Sequence, residues 1–305
     1  MMDITVLGCA ASTPTPERSL PSIAVRIDGD VLLFDCGEGT QRQMMRHGVS
    51  YAAVKAVFIS HLHLDHFLGL FGLGETLRLS GRPEPIEVFG PPGTMRFLSS
   101  FGPREIFSVH EITKEQLVDC NPLSKSPKPL ITINEHDIFV LPANHGPKVN
   151  AYSFLLREHD RLRFHETKAK SLGLAGPMFK EIQKNGSLKI GSKTIHLDDV
   201  TYVQPGKCIV YSGDTSYSPE LARAAKGADL LMHDATFDEG QRPLADERAH
   251  STAADAANTA KKAGVRQLLL FHLSGRYRDP QMLLDEAKKI FPNTIAAEDG
   301  LKISL

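Results

Sequence analysis

The sequence VKAVFISHLHLDH, residues 54–66, joins an apolar, β-rich run directly to three histidines and an aspartate. Imidazole nitrogens and carboxylate oxygens are the ligands that suit Zn²⁺ and its first-row neighbours. Because side chains alternate along an extended strand end, His61 and His63 point the same way and can bind one ion together. If the chain then turns into a helix, the side chains of Asp65 and His66 point in a new direction and can bind a second ion close by. Such a pair of ions is typical of two-metal phosphoryl sites.

Further polar side chains follow short apolar β-runs elsewhere in the chain. Asp35 follows VLLF, His145 follows FVLPAN, Asp214 follows IVYSG and His272 follows QLLLF. Loops at one edge of a sheet bring together residues that are distant in sequence, so we expect these side chains to join the histidine stretch. Ligating imidazoles usually donate to a carboxylate, and the candidates for that supporting role are Asp35, Glu38, His233 and Asp234.

Short β-rich runs bounded by Gly, Pro, Asn or Ser recur along the whole chain, with helical stretches between them. Residues 218–227 carry a Ser cap, a Pro at the first helical position and a Gly stop, and residues 251–264 follow a similar pattern. This alternation predicts an α/β layered fold, with sheets packed together and helices outside.

Composition narrows the class of protein. The chain has 305 residues, of which 41% are hydrophobic and 23% charged, as in globular proteins. There is no apolar run of the ~18 residues that a membrane span needs and no basic leader, so we expect a soluble cytoplasmic protein. The cysteines, Cys9, Cys36, Cys120 and Cys208, form no CxxC pair, which argues against a disulfide framework or a zinc ribbon. The net charge of −1 means that any nucleic-acid binding requires a local basic patch.

Residues 157–193 form such a patch, with nine Lys or Arg against four Asp or Glu and little apolar periodicity. Two interpretations are open for this segment. It is either a solvated insertion or a protruding arm whose cations contact phosphates.

The motifs taken together resemble the metallo-β-lactamase superfamily and, within it, the short-form ribonuclease Z family of tRNA 3′ endonucleases. The superfamily resemblance depends on HLHLDH (61–66), His145, Asp214 and His272. The narrower resemblance depends on FDCGEGTQRQM (34–44), HFLGLFGL (66–73), HDATF (233–237), AHST (249–252) and HLSGRYRD (272–279). One departure is Asp234, because the family usually has glutamate at this position.

The resemblance implies a four-layer αββα sandwich, a single domain over residues 1–305 with the basic arm, 157–193, inserted in it. It also implies two Zn²⁺ ions, with Mn²⁺ or other divalent ions as alternatives. One ion would be bound by His61, His63 and His145, and the other by Asp65, His66 and His272. Asp214 would bridge the two.

The implied activity is removal of 3′ trailers from precursor tRNA, which leaves a tRNA 3′-hydroxyl and a 5′-phosphate on the trailer. Metal-activated hydroxide would attack the phosphodiester, with Asp65 orienting or deprotonating the water. His250 is the candidate general acid for the departing ribose oxygen. Since a helix N-terminus follows His250 and disfavours an imidazolium, Asp234 or Glu247 would have to offset it.

Precursor tRNA is the implied partner, and the family is typically homodimeric. Lys180, Lys184 and Lys189 of the arm are candidate tRNA contacts, and Tyr277 and Arg278 are candidates to stack on or pair with RNA.

Two alternative functions belong to other classes of protein. A small-molecule metallohydrolase acting on thioesters, lactones or cyclic phosphodiesters shares the metals but needs no basic arm. A non-enzymatic RNA-binding module would not need the complete set of ligands that the sequence retains.

Overall fold

The computed structural model describes residues 2–101, 104–118 and 128–305; Cys120 lies outside these ranges. The chain divides into two compact units. Glu158–Gly206 forms the smaller unit, and the chain up to Arg157 together with the chain from Lys207 forms the larger.

The strands of the described residues are β1 (Met2–Gly8), β2 (Ala10–Ala11), β3 (Ser22–Ile27), β4 (Asp30–Phe34), β5 (Val54–Phe58), β6 (Ile86–Gly90), β7 (Phe107–Glu111), β8 (Ile131–Ile133), β9 (His136–Pro142), β10 (Tyr152–Glu158), β11 (Arg161–Phe164), β12 (Ser187–Ile190), β13 (Lys193–His196), β14 (Thr201–Gln204), β15 (Cys208–Tyr211), β16 (Leu230–Asp234), β17 (Gln267–Phe271), β18 (Leu273–Ser274), β19 (Thr294–Ala296) and β20 (Lys302–Ser304). The α-helices are α1 (Thr40–His47), α2 (Leu64–Phe67), α3 (Gly69–Leu79), α4 (Thr94–Phe101), α5 (Glu166–Ser171), α6 (Met178–Asn185), α7 (Leu197–Val200), α8 (Pro219–Ala224), α9 (Arg242–Arg248), α10 (Ala253–Ala263) and α11 (Gln281–Ile290). Short 3₁₀ turns lie at Tyr51–Ala53, Arg104–Ile106, Lys114–Gln116 and Glu239–Gln241.

Two sheets form the centre of the larger unit. Within the described residues the first has the order β20-β1-β3-β4-β5-β6-β7 and the second the order β19-β17-β16-β15-β10-β9-β8. Strands β4 to β7 run parallel, as do β15, β16, β17 and β19, so their carboxyl ends meet at sheet edges. The strand β20 pairs antiparallel with β1, placing Asp3 opposite Ser304 and Thr5 opposite Lys302.

The inner faces of the two sheets share one apolar core. Phe58 of the first sheet lies 5.5 Å, ring centre to ring centre, from Phe154 of the second, and Phe34 lies 5.9 Å from Tyr211. Burial of each such aromatic ring stabilises the fold by roughly 1.5–3 kcal/mol. The two sheets therefore pack against each other through rings and branched side chains.

Helices cover both outer faces. Met44 of α1, Leu73 of α3 and Leu98 of α4 pack on the first sheet. Leu221 of α8, the alanines of α10 and Leu283 of α11 pack on the second. The order helix, sheet, sheet, helix confirms the predicted four-layer αββα fold.

The helix α10 shows why its sequence folds this way. The Thr252 side chain accepts a hydrogen bond from the Asp255 backbone amide, the Asp255 side chain completes the capping box, and Gly264 ends the helix at φ 62°. Alanines at most buried positions leave little side-chain bulk between the helix and its sheet. The predicted helices over 218–227 and 251–264 are observed at Pro219–Ala224 and Ala253–Ala263.

The smaller unit is ordered and has its own core. Two antiparallel ribbons, β11–β14 and β12–β13, occur with three helices, α5, α6 and α7. Their shared core contains Ala169, Leu174, Ile182, Ile195 and Val200. The unit spans residues 158–206, whereas the expected arm was 157–193. Over 158–206 the sequence has eight Lys or Arg and six Asp or Glu, so the excess of positive charge is smaller.

Among the described residues, we find no helix that is both long and apolar enough to cross a lipid bilayer.

Candidate metal centre

The histidine stretch forms the turn between β5 and α2. His61 and His66 are fully buried, and His63, at the N-cap of α2, is more exposed. The short helix places Asp65 and His66 in a different group of donor atoms from His61 and His63. The chain just after this turn packs closely against the chain after β4. At Gly69 an added Cβ would lie only 2.0 Å from the Gly37 carbonyl oxygen.

One atom, Asp214 Oδ2, lies at the centre of the cluster. It is 3.6 Å from His61 Nε2 and 3.9 Å from His145 Nε2. It is 3.4 Å from His66 Nε2 and 3.4 Å from His272 Nε2. Asp214 is therefore the point at which residues from both sheets meet.

Three sets of donor atoms surround this point, and the third of them comprises Asp214, Asp234, His250 and His272. The first comprises His61, His63, His145 and Asp214, and the second comprises Asp65, His66 and His272; within each set, the donor atoms lie within 4.8 Å of one another. All seven residues that the sequence singles out as ligands are thus brought to one place.

The donor atoms fit divalent cations. His61 Nε2 and Asp214 Oδ1 are buried without a hydrogen-bond partner among the described residues, although such orphaned atoms cost free energy. Burial lowers the pKa of His61 well below its ordinary value, which favours the neutral imidazole that a metal requires. Burial raises the pKa of Asp214, but His272 and His66 outweigh this effect and lower it well below the ordinary value, so the carboxylate is ionised.

Several of the imidazoles have a hydrogen-bond partner on Nδ1, the ring nitrogen other than Nε2. His66 Nδ1 donates to Asp35 Oδ2 over 2.7 Å, and His145 Nδ1 donates to the Ala249 carbonyl over 2.9 Å. His272 Nδ1 lies 2.8 Å from Thr236 Oγ1. These contacts aim the Nε2 atoms at the cluster. Asp35 therefore occupies the supporting position that the sequence indicated, whereas Glu38 is exposed.

Local backbone geometry brings the loops close together. Ser12, at φ 61°, donates its amide to Asp65 Oδ2 over 2.9 Å, which fixes this carboxylate. Gly213 has φ 58°, and a Cβ there would lie 2.8 Å from Ser60 Cβ. Only glycine lets the loop that carries Asp214 approach the loop that carries His61 this closely.

His250 lies beside the cluster, 8% exposed. Its Nδ1 is 2.8 Å from Asp234 Oδ2 and 4.0 Å from Asp214 Oδ2. Burial lowers the pKa of His250, but the charge and hydrogen bond of Asp234 outweigh burial and raise it to about 9. Asp234, and not the exposed Glu247, is therefore the carboxylate that offsets the helix N-terminus.

Comparison with known proteins agrees with this geometry. Residues 17–149 match a model described as the metallo-beta-lactamase superfamily, and residues 199–273 match a beta-lactamase superfamily domain. Proteins named Ribonuclease Z from Picrophilus torridus and Methanosarcina acetivorans are 38% and 37% identical, over 99% and 100% of this chain and 95% and 98% of theirs. The chain belongs to the ribonuclease Z family. The crystal structure of human tRNase Z, short form, superposes with a TM-score of 0.68 at 28% identity, covering 99% of this chain and 98% of that one.

The candidate RNA contacts of this ribonuclease Z family member lie in different environments. Lys180, Lys184 and Lys189 are exposed in the smaller unit, and Arg278 is exposed in the larger. Tyr277 is 7% exposed, and its hydroxyl donates to Asp238 Oδ2 over 2.5 Å. The burial of Tyr277 disagrees with the expectation that its ring stacks on RNA.

Sequence reasoning missed several residues that shape the site. Arg18 donates to the backbone carbonyls of Tyr277 and Arg278 and so fixes the loop after His272. Ser60, Thr236 and Tyr211 hydrogen-bond behind the histidines. Arg18 gave no metal or catalytic signal, but Ser60 and Tyr211 lie within the very motifs that contain His61 and Asp214.

Proposed function

We propose that this chain is a metal-dependent endoribonuclease that removes 3′ trailers from precursor tRNA, leaving a tRNA 3′-hydroxyl and a 5′-phosphate trailer. The observation that carries the proposal is the convergence of four Nε2 atoms within 3.4–3.9 Å of Asp214 Oδ2. The relatives named Ribonuclease Z supply the substrate class.

Two divalent ions, Zn²⁺ or alternatively Mn²⁺, would be held by the first two donor sets. His61, His63 and His145 would bind the first, and Asp65, His66 and His272 the second. Asp214 would be shared. When bound, a pair of such ions activates water and neutralises charge on the phosphate.

His250 would supply the proton that the departing ribose 3′-oxygen needs. Asp234 occupies its Nδ1, so the proton leaves from Nε2. Asp234 Oδ2 also accepts from the Thr215 amide over 3.1 Å, and Oδ1 accepts from Thr236 Oγ1 over 2.7 Å. A carboxylate fixed by several donors in this way holds the imidazole in one orientation and stabilises its protonated form.

Asp65 would orient or deprotonate the attacking water. Its Oδ2 lies 3.6 Å from both His66 Nε2 and His272 Nε2, so the carboxylate borders the cluster. His272 and His66 outweigh the effect of burial and lower the pKa of Asp65, so the carboxylate is ionised and can accept a hydrogen bond from the water.

The smaller unit would bind the phosphate backbone of the tRNA. Lys180 and Lys184 lie four residues apart on α6, and Lys189 lies on β12, all of them exposed. Exposed cations of this kind bind phosphates with a steep salt dependence. The exposed Arg278 is a further candidate contact. The family resemblance also implies a homodimer in the cytoplasm, which light scattering of the purified protein and cell fractionation would test.

The deciding experiment incubates the purified protein with a 3′-extended tRNA precursor, with and without a chelator, and maps both product ends. We expect one cut after the mature tRNA end, lost with chelator and restored by Zn²⁺ or Mn²⁺. Hydrolysis of a chromogenic phosphodiester without any cleavage of the precursor would instead support a small-molecule hydrolase.

A further inference from the structure

Asp35 is fully buried below the cluster, at the end of β4, and accepts four hydrogen bonds. Oδ1 accepts from the Ser60 amide over 2.7 Å. Oδ2 accepts from Ser60 Oγ, His66 Nδ1 and the Tyr211 hydroxyl over 2.7, 2.7 and 2.6 Å. Three of the four donors converge on Oδ2 and one binds Oδ1, so both oxygens are engaged and the carboxylate is held in one orientation.

This carboxylate fixes the tautomers of two histidines, one in each of the first two donor sets. His66 donates its Nδ1 proton directly to Asp35, which leaves Nε2 for the cluster. Ser60 Oγ uses its own proton on Asp35, so its contact with His61 Nδ1, 3.0 Å away, must be an acceptor contact. His61 therefore carries its proton on Nδ1 and presents the lone pair of Nε2, the atom that has no partner among the described residues.

Of the four donors, the Tyr211 hydroxyl alone comes from the second sheet. Tyr211 is 1% exposed at the end of β15, three residues before Asp214, whereas Asp35, Ser60 and His66 all follow strands of the first sheet. Burial, reinforced by the charge of Asp35, raises the pKa of Tyr211 well above its ordinary value, so the phenol keeps its proton and donates it. The bond therefore joins the two sheets directly behind the cluster.

We infer that the Tyr211 hydroxyl is a positioning group for metal binding, which acts through Asp35 on His66 and, through Ser60, on His61. The inference depends on the proposed metal function, since it concerns how tightly the same donor sets bind their ions. It assigns to Tyr211 no contact with substrate or with the reacting atoms.

The test removes one hydroxyl. Tyr211→Phe keeps the ring in the aromatic core and deletes only the bond to Asp35. Tyr152→Phe is the matched control, because Tyr152 is also buried in the shared core, while its hydroxyl donates instead to the Ile112 carbonyl, 3.4 Å away. Metal-stripped wild type and both variants are titrated with Zn²⁺ against a colour-changing chelator. The Co²⁺ absorption spectrum and the thermal unfolding of the metal-free proteins are also recorded.

We expect Tyr211→Phe to bind Zn²⁺ about tenfold more weakly and to alter the Co²⁺ spectrum, since loss of a residue that orients ligands typically costs 10–100-fold in affinity. Tyr152→Phe should bind as wild type does, while metal-free Tyr211→Phe should still unfold cooperatively, at a temperature lowered by the loss of one buried hydrogen bond. Unchanged affinity and spectrum in Tyr211→Phe, or an equal loss in Tyr152→Phe, would overturn the inference while leaving two-metal binding intact. Failure of the wild type itself to bind two ions would overturn the proposed function as well.

Discussion

His250 Nδ1 donates to Asp234 Oδ2 over 2.8 Å, so Nε2 is the ring nitrogen that this bond leaves for the proposed proton transfer. The bond connects β16 to the residue before the Ser251 and Thr252 segment that caps α10. The charge of Asp234 and this hydrogen bond also outweigh the effect of burial and raise the pKa of His250. Replacing either partner should therefore affect proton transfer without removing a predicted metal ligand.

For His250→Ala we expect turnover of precursor tRNA to fall about 10²–10⁴-fold, because a general acid contributes about that much. Metal content should stay at two ions per chain. Single-turnover cleavage and elemental analysis of the same sample measure both quantities. A wild-type single-turnover rate would exclude His250 from proton transfer.

For Asp234→Asn we expect activity to fall about 10–100-fold, since the amide has no charge with which to stabilise protonated His250. Asp234→Glu is the matched control, because it keeps the charge and introduces the residue that is usual in the family. We expect the glutamate variant to retain more activity than the asparagine variant in the same single-turnover assay. Equal rates in the two variants would show that the charge of residue 234 does not matter.

For Asp214→Ala we expect loss of both ions, since Asp214 Oδ2 lies within 3.9 Å of histidines from the first two donor sets. His63→Ala removes a donor from one set and should release chiefly one ion. Glu38→Ala changes an exposed acid in the loop after β4 and should release none. Native mass spectrometry counts the ions, and retention of two ions by Asp214→Ala would contradict the shared position.

Removal of residues 158–206 should abolish cleavage of precursor tRNA but preserve hydrolysis of a chromogenic phosphodiester. Arg157 lies opposite Cys208 in the antiparallel pair of β10 and β15, so a short Gly-containing turn can join Arg157 to Lys207. Circular dichroism verifies that the shortened chain folds. An equal loss of both activities in a folded protein would argue against a role of the smaller unit in tRNA binding.

The double substitution Lys180→Glu/Lys184→Glu should raise the KM for precursor tRNA and flatten its dependence on salt, because fewer phosphates are neutralised. The control Lys288→Glu/Lys289→Glu makes the same charge change on exposed positions of α11. Kinetics at several salt concentrations compare the two proteins. The same KM change in both would assign the effect to net charge rather than to α6.

The sequence was most informative about the strand ends. The apolar run before the histidines is observed as the strand Val54–Phe58, and the polar residues after β4, β5, β15 and β17 do meet at one cluster. These predictions succeed because buried strands are apolar runs of limited length, and because parallel strands bring their carboxyl ends together.

Elements that depend on distant partners could not be predicted in this way. The strand β20 contains Lys302 and Ser304 and becomes a strand only through its bonds to β1. The sequence also did not predict that the smaller unit has a core of its own. Each helix or strand contributes only one or two residues to that core, so the apolar periodicity is weak. Tyr277, a candidate RNA contact in the sequence, lies in the core on the second sheet, and its hydroxyl donates to Asp238, 39 residues earlier.

The pairing of β1 with β20 has a consequence for biosynthesis. An edge of the first sheet gains its final partner only when residues 302–304 have left the ribosome, and a folding nucleus that needs contacts of such long sequence separation closes slowly. A nascent polypeptide therefore keeps Met2–Gly8 unpaired on one side, and this edge stays open to pairing with another chain until residues 302–304 have emerged.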